Sequence, residues 1–209
     1  MALEATHLRF AHDLKERLHV QHLDEYFSGA IYPDSRYITK LERRLTHPRD
    51  FLEWNLESIN DFRKGWFTHL LCDELQRTIV KNRIPAVDEG TPGQGGEIWI
   101  KHTALKILQD MDDVKKFDIA FVLPKLIYTE QPNQENPNTL LAYNQLFQNL
   151  YAVPAIIDTG SYYQLWKDFG LNEDPILQLG QQVSVYRQDR AIMDRVQEIY
   201  QETLLNVAI

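Results

Sequence analysis

An imidazole and a carboxylate stand four residues apart at His69 and Asp73. If residues 58–81 are helical, the two project from one face, about one turn of 5.4 Å apart. A helix supplies two ligands to a single divalent ion at this spacing. The same spacing also suits a hydrogen-bonded polar pair on a helix surface or in a core. Gly65 lies one turn earlier on that face, where a missing side chain lets another helix, an ion or a substrate come close. Upstream, Gly29-Ala30-Ile31-Tyr32-Pro33-Asp34 forms a second stretch of interest. Pro33 stops the helix before it, so Asp34 starts a turn. His47 stands before Pro48, a position that disfavours helix. Between them Arg36, Lys40, Arg43 and Arg44 make a small cationic cluster.

The elements that must position these residues read as helices. Leu3, His7, Phe10, Leu14 and Leu18 recur at helical spacing, which predicts an amphipathic helix over about 6–18 with Thr6 as its cap and His7 on its apolar face. Leu23, Tyr26, Phe27, Ala30 and Ile31 form a second stripe ending at Pro33. Ser58-Ile59-Asn60-Asp61 is similar to a capping box, and Ile59, Phe62, Trp66 and Leu70 carry the stripe toward His69. Residues 82–96 end in a glycine-rich loop that lacks the Gly-Lys-Ser/Thr ending and preceding strand of a phosphate loop. Further helices are predicted through about Gln109, from Asp112 or Asp118 to near Pro124, from Leu140 to Tyr151, from Ser161 to Phe169, and in a last region starting at Asp174-Pro175. No period-two alternation or internal repeat is found. The expected class is all-α, a single-domain bundle of about seven to nine helices spanning residues 1–209.

Composition narrows the function. At 209 residues the chain fits one domain with a substantial core. A formal charge of −8 gives no global basic field for nucleic acid or anionic membranes. The four tryptophans and ten tyrosines read as packing residues, because no basic groove interleaves them. The one cysteine, Cys72, excludes an internal disulfide and sits among leucines as a small buried hydrophobe. No signal peptide is read at the N-terminus and no apolar run approaches the ~20 residues of a membrane span. A cytoplasmic location is the expectation.

Taken together, Thr6-His7, Phe27-Ser28-Gly29-Ala30-Ile31-Tyr32-Pro33-Asp34, Thr46-His47 and Gly65-x-x-x-His69-x-x-x-Asp73 resemble the zinc-dependent phospholipase C family, whose helical fold is shared with single-strand-specific zinc nucleases. The match covers roughly the first 75 residues. The resemblance implies that Asp34, His47, His69 and Asp73 surround one zinc and that His7 joins a bridging Asp73 at a neighbouring ion. It further implies one or two divalent transition metals, zinc or else iron or manganese. A metal-activated water would attack a small-molecule or lipid phosphoester, with Asp34 as the catalytic residue that orients or deprotonates it. Arg36 and Lys40, just after Asp34, are the expected contacts to an anionic substrate.

The family has a further His and a His-x-x-x-Glu after the Asp73 position. Here only His102-x-x-x-Lys106 follows, and an ammonium donates no lone pair, so fewer than three metals are expected, with Asp110, Asp112 or Asp118 as the remaining carboxylates. Two rival readings stand beside this one. His12-Asp13 is the dipeptide used by HD-domain phosphohydrolases, although that reading leaves Gly29 to Asp34 unexplained. The other rival is a non-catalytic binding protein that keeps a structural metal, which would be a closed site without an open coordination position. His12, His19, His22 and His102 read more simply as solvated or hydrogen-bonded histidines.

Overall fold

The computed structural model describes residues 2–208, and among them the chain is all-helical with no strands. The N-terminal half comprises α1 (Glu4–Leu14), α2 (Leu23–Ile31), a 3-10 turn over Tyr32–Ser35, the single-turn helices α3 (Arg36–Thr39) and α4 (Arg43–Thr46), and the long α5 (Asp61–Arg83). The remainder comprises α6 (Glu97–Asp113), the single-turn α7 (Ile119–Val122), α8 (Pro137–Leu150), α9 (Thr159–Asp168), α10 (Glu173–Gln188) and α11 (Arg190–Leu205). Eight of these helices run nine residues or longer, within the seven to nine expected. Buried side chains from Ala2 to Tyr200 join one hydrophobic core. No helix among the described residues is long and apolar enough to cross a membrane.

Three local expectations need correction. Thr6 is not a cap: α1 begins at Glu4, and the Thr6 hydroxyl donates instead to Asp113 Oδ2 at 2.8 Å. The cap of α5 is Asn60, whose side chain accepts from Arg63 N at 2.9 Å, so the helix starts two residues later than a Ser58 cap requires. The last helical region is two helices, broken at Asp189, whose extended backbone and side-chain bonds to the amides of Ala191 and Ile192 start α11 afresh.

The scaffold of the site is the crossing of α2 and α5. From Phe62 to Cys72 α5 buries residues on nearly all sides, as a central helix does. Two glycines permit the crossing. A Cβ on Gly65 would lie 1.9 Å from the Tyr26 carbonyl oxygen, and one on Gly29 would lie 2.0 Å from the Phe62 carbonyl oxygen. Each helix therefore presents a bare backbone patch to the other, and any larger residue pushes the backbones apart. Helix α1 lies against both.

Candidate metal centre

The α2–α5 crossing brings His69 against the end of α2. The carbonyls of a helix's last turn have no intrahelical partner, and one of them, Ala30 O, accepts from His69 Nδ1 at 2.9 Å. With Nδ1 carrying the proton, His69 Nε2 presents a lone pair. His47 is oriented by the same kind of device. Trp66 Nε1 donates to Thr46 O at 2.7 Å and pins the loop to α5, while the Thr46 hydroxyl lies 2.9 Å from His47 Nδ1 and leaves Nε2 facing inward. His7 comes from the buried face of α1, its ring stacked on that of His69 with centroids 3.6 Å apart.

The carboxylates close the group. Asp34 Oδ1 lies 3.8 Å from His47 Nε2, Asp73 Oδ2 lies 3.8 Å from the same nitrogen, and Asp73 Oδ1 lies 3.5 Å from His7 Nε2. Asp73 is further held by the Ala2 amide, which donates to Oδ1 at 3.0 Å. All five residues singled out from the sequence thus converge. Donor atoms of His7, Asp34 and His69 lie within 4.8 Å of one another, as do those of His47, His69 and Asp73. The two triads share His69, whereas the resemblance implied sharing through Asp73. Since His69 offers one lone pair, it would ligate one ion, and the two triads cannot both be filled through it.

Electrostatics prepare these groups as ligands. Burial holds His7 well below its ordinary pKa, lowers His47 to about 2 and lowers His69 to about 4, so all three rings are neutral at pH 7. Burial alone would raise Asp34, but His69 and His47, as they gain charge in acid, together with Lys106 and Arg36 outweigh that cost and bring it down to about 2. The Nε2 atoms of His7, His47 and His69 are buried and have no hydrogen-bond partner. A buried polar atom left this way costs about 1–3 kcal/mol, and a divalent ion accepts such a nitrogen directly. Around a tetrahedral ion with ligands at about 2.0 Å, neighbouring donors are about 3.3 Å apart, against 3.5–3.8 Å for the three pairs above and up to 4.8 Å within each triad, so the donors would close in to hold an ion. Neutral imidazoles and carboxylates thus form buried groups that can hold a metal ion.

The other candidates fall outside the donor set. Lys40 has a left-handed backbone that turns its ammonium to the carbonyl of Tyr37, 2.7 Å away, and to that of Phe169, so it does not face the carboxylates. Arg36 does lie beside Asp34, its Nε 3.8 Å from Oδ1, with the guanidinium over the Tyr37 ring. His12 and Asp13 pair with each other, and Asp13 also accepts from Tyr200; neither enters a ligand group among the described residues. His102 Nε2 is bonded to Asp88 at 2.7 Å. Asp110 is taken up by Thr6, Tyr151 and Tyr162, Asp112 pairs with Lys116, and Asp118 caps α7. Cys72 is buried, and burial pushes its thiol up to about 12, far from a nucleophile's range.

Three neighbours complete the surroundings of the cluster: Lys106 and Arg43, both already marked by the sequence, and Glu4, which no sequence signal singled out. Thr6 reaches Asp110 and Arg9 reaches Asp113, so α1 and α6 run side by side in the same direction. Lys106, one turn before Asp110 on that face, is therefore directed at the first turn of α1. Burial lowers its pKa, opposed chiefly by the charge of Asp34. Glu4 is buried with Oε1 bonded to the Tyr143 hydroxyl at 2.7 Å, and burial raises its pKa well above the ordinary value. Arg43 lies with a guanidinium nitrogen 3.9 Å from Asp73 Oδ2, and with His47 and Asp73 it lines a cleft of about 490 Å³.

Comparison of the chain with models of protein families, with curated proteins and with solved structures finds no match.

Proposed function

We propose that this protein is a metal-dependent hydrolase of phosphoesters, using one or two divalent transition metals, with zinc the ion best suited to the donors. The observation that carries the reading is the convergence of three unpartnered, neutral imidazole nitrogens on two carboxylates beside an open cleft. The ordered resemblance to the zinc-dependent phospholipase C family supports the same reading. Imidazole suits zinc and iron, the carboxylates also suit manganese, and the five residues exceed the four donors of one tetrahedral ion, which allows one ion or two. The contact of His47 and Asp73 with the cleft favours an open site over a closed structural one.

In this reading His7, His47 and His69 hold the ions through Nε2, and Asp34 and Asp73 hold them through carboxylate oxygens. A bound ion supplies Lewis-acid activation of water and charge neutralisation at the phosphoryl group. Asp34 accepts a hydrogen bond from the attacking water and sets its direction. Its carboxylate, at the edge of the imidazole cluster, is placed to orient that water or to take its proton. Ala30 O and the Thr46 hydroxyl fix the tautomers of His69 and His47, and Arg36 and Lys106 offset charge around Asp34. Hydrolysis joins the water oxygen to phosphorus, breaks the ester P–O bond and passes one proton to the leaving oxygen.

The test is metal analysis of untagged protein together with a screen of phosphomonoesters and phosphodiesters. At least substoichiometric zinc, iron or manganese is expected. Asp34→Asn should abolish hydrolysis, and Cys72→Ser should leave it within about twofold, since a buried neutral thiol takes no part. Protein that carries no metal, gains no thermal stability from added zinc or manganese, and turns over no phosphoester would end this proposal.

A further inference from the structure

The cleft beside the metal centre has two unlike ends. At the inner end are His47 and Asp73, with Arg43 adjacent to Asp73. Arg49 and Arg77 add two more guanidinium groups to the lining. Arg77 is already committed, one nitrogen lying 2.6 Å from each carboxylate oxygen of Glu74. Arg49 has no carboxylate partner among the described residues, and Arg43, 3.9 Å from Asp73 Oδ2, lines the cleft beside that carboxylate. The same lining has an apolar part: Phe51 and Leu70 are buried, while Leu52 has 63% of its surface exposed. A cleft lined both by guanidinium groups and by an exposed leucine suits a ligand with an anionic head and an apolar body. The volume of about 490 Å³ fits a small organic molecule and not a folded polymer.

We infer that this cleft selects phosphomonoesters of apolar alcohols, with the doubly charged phosphate held between the metal centre and the guanidinium groups of Arg43 and Arg49 and the alcohol group laid against Leu52. The inference rests on the proposed hydrolase reading for the reaction, but the recognition can be measured without it. A dianionic phosphate engages two guanidinium groups by charge-assisted hydrogen bonds, whereas a diester carries one charge and a second substituent that must also be housed. Arg36 and Lys40 do not line this cleft, which moves anion recognition from the residues just after Asp34 to those flanking His47.

The experiment is calorimetric titration of the zinc-loaded full chain with phenylphosphonate, methylphosphonate and diphenyl phosphate, none of which needs to be turned over. Phenylphosphonate should bind at least about fivefold more tightly than either of the others. Arg49→Gln should weaken it about tenfold, as expected for one charge-assisted contact, and Leu52→Asn should remove its advantage over methylphosphonate. Arg44→Gln, an exposed neighbour paired with Glu42, should change nothing. Arg49 and Leu52 are exposed, so their variants keep the fold, which unchanged melting curves will verify. Equal affinity for the three ligands, or an unaltered constant in Arg49→Gln, overturns the inference. If phenyl phosphate is hydrolysed although phenylphosphonate ignores these variants, the cleft assignment alone fails. If the variants weaken phenylphosphonate as stated and no phosphoester is turned over, the hydrolase reading alone fails.

Discussion

Thr6 and His7 are neighbours on α1, yet they enter two buried polar regions built on opposite terms. Around Thr6, every polar group is answered. Asp110 accepts from the Thr6 amide at 2.9 Å, the Tyr151 hydroxyl at 2.7 Å and the Tyr162 hydroxyl at 2.8 Å, and Asp113 accepts from the Thr6 hydroxyl and from Arg9 at 2.7 Å. Around His7, side chains of similar burial meet and leave four imidazole nitrogens without partners: both of His7 and the Nε2 atoms of His47 and His69. The first region ties α1 to α6, α8 and α9. The second gathers α1, α5 and the segment after α2 about a point where donor atoms face each other at 3.5–3.8 Å. Burial alone therefore does not distinguish a structural network from a site. What distinguishes them is whether the buried donors and acceptors are satisfied within the protein.

The contrast predicts opposite responses to metal. Zinc or manganese at about a thousandfold over its dissociation constant should stabilise the native protein by about 4 kcal/mol, through binding to the folded state alone. His69→Ala and Asp73→Asn should lose this gain, whereas Asp110→Ala should keep it although its starting stability is lower. Thermal melts with and without metal measure all three. A metal response equally lost in Asp110→Ala would erase the distinction between the two regions.

Without metal the ranking reverses. Asp110→Ala strands the Thr6 amide and the Tyr151 and Tyr162 hydroxyls in the core, and at about 1 kcal/mol or more for each buried unsatisfied group it should cost roughly 3 kcal/mol. His69→Ala removes an imidazole whose Nε2 has no partner, frees only the Ala30 carbonyl, and should cost less. Urea unfolding in the presence of a chelator compares them. A metal-free His69→Ala that proved the more damaging would show that the ring is held for packing.

Acid sharpens the comparison by sign. Burial depresses His47 to about 2 and His69 to about 4, below the ~6.5 of an unfolded histidine, so below pH 6.5 the unfolded chain binds more protons and stability falls as pH drops. Burial raises Asp110 and Asp113 to about 6, above the ~3.9 of an unfolded aspartate, so there the folded state binds more protons and stability rises as pH falls through that window. Each group contributes at most about 1.4 kcal/mol per pH unit. In metal-free protein His47→Gln should flatten the acid limb between pH 6.5 and 5.5 by about 1 kcal/mol, and Asp110→Asn should steepen it by somewhat less. Urea titrations at pH 7, 6 and 5 read both slopes, and slopes of the opposite order would contradict the protonation states assigned here.

What the sequence determined was local. Hydrophobic spacing marks the helices, Pro33 ends α2, and the i, i+4 placement of His69 and Asp73 needs nothing beyond the pitch of α5, so the class and the five candidate ligands were legible along the chain. What the tertiary structure decided was everything that depends on segments far apart. Gly29 and Gly65 mattered because each meets the other helix's backbone, which no spacing within one helix reveals. Thr6 had the composition of a cap but was drawn away by Asp113, 107 residues on. Lys40 had the charge for an anion, yet its left-handed backbone aims it at the carbonyl of Tyr37. Arg49 lacked any motif and Arg43 was one of four clustered cations, and both acquired a place only when the α4 loop was laid along α5 to make a cleft. The physical reason is common to these cases. Helix periodicity and proline geometry are fixed by bonds within a few residues, whereas burial, charge and hydrogen-bond partnership are set by whichever groups packing brings within about 4 Å.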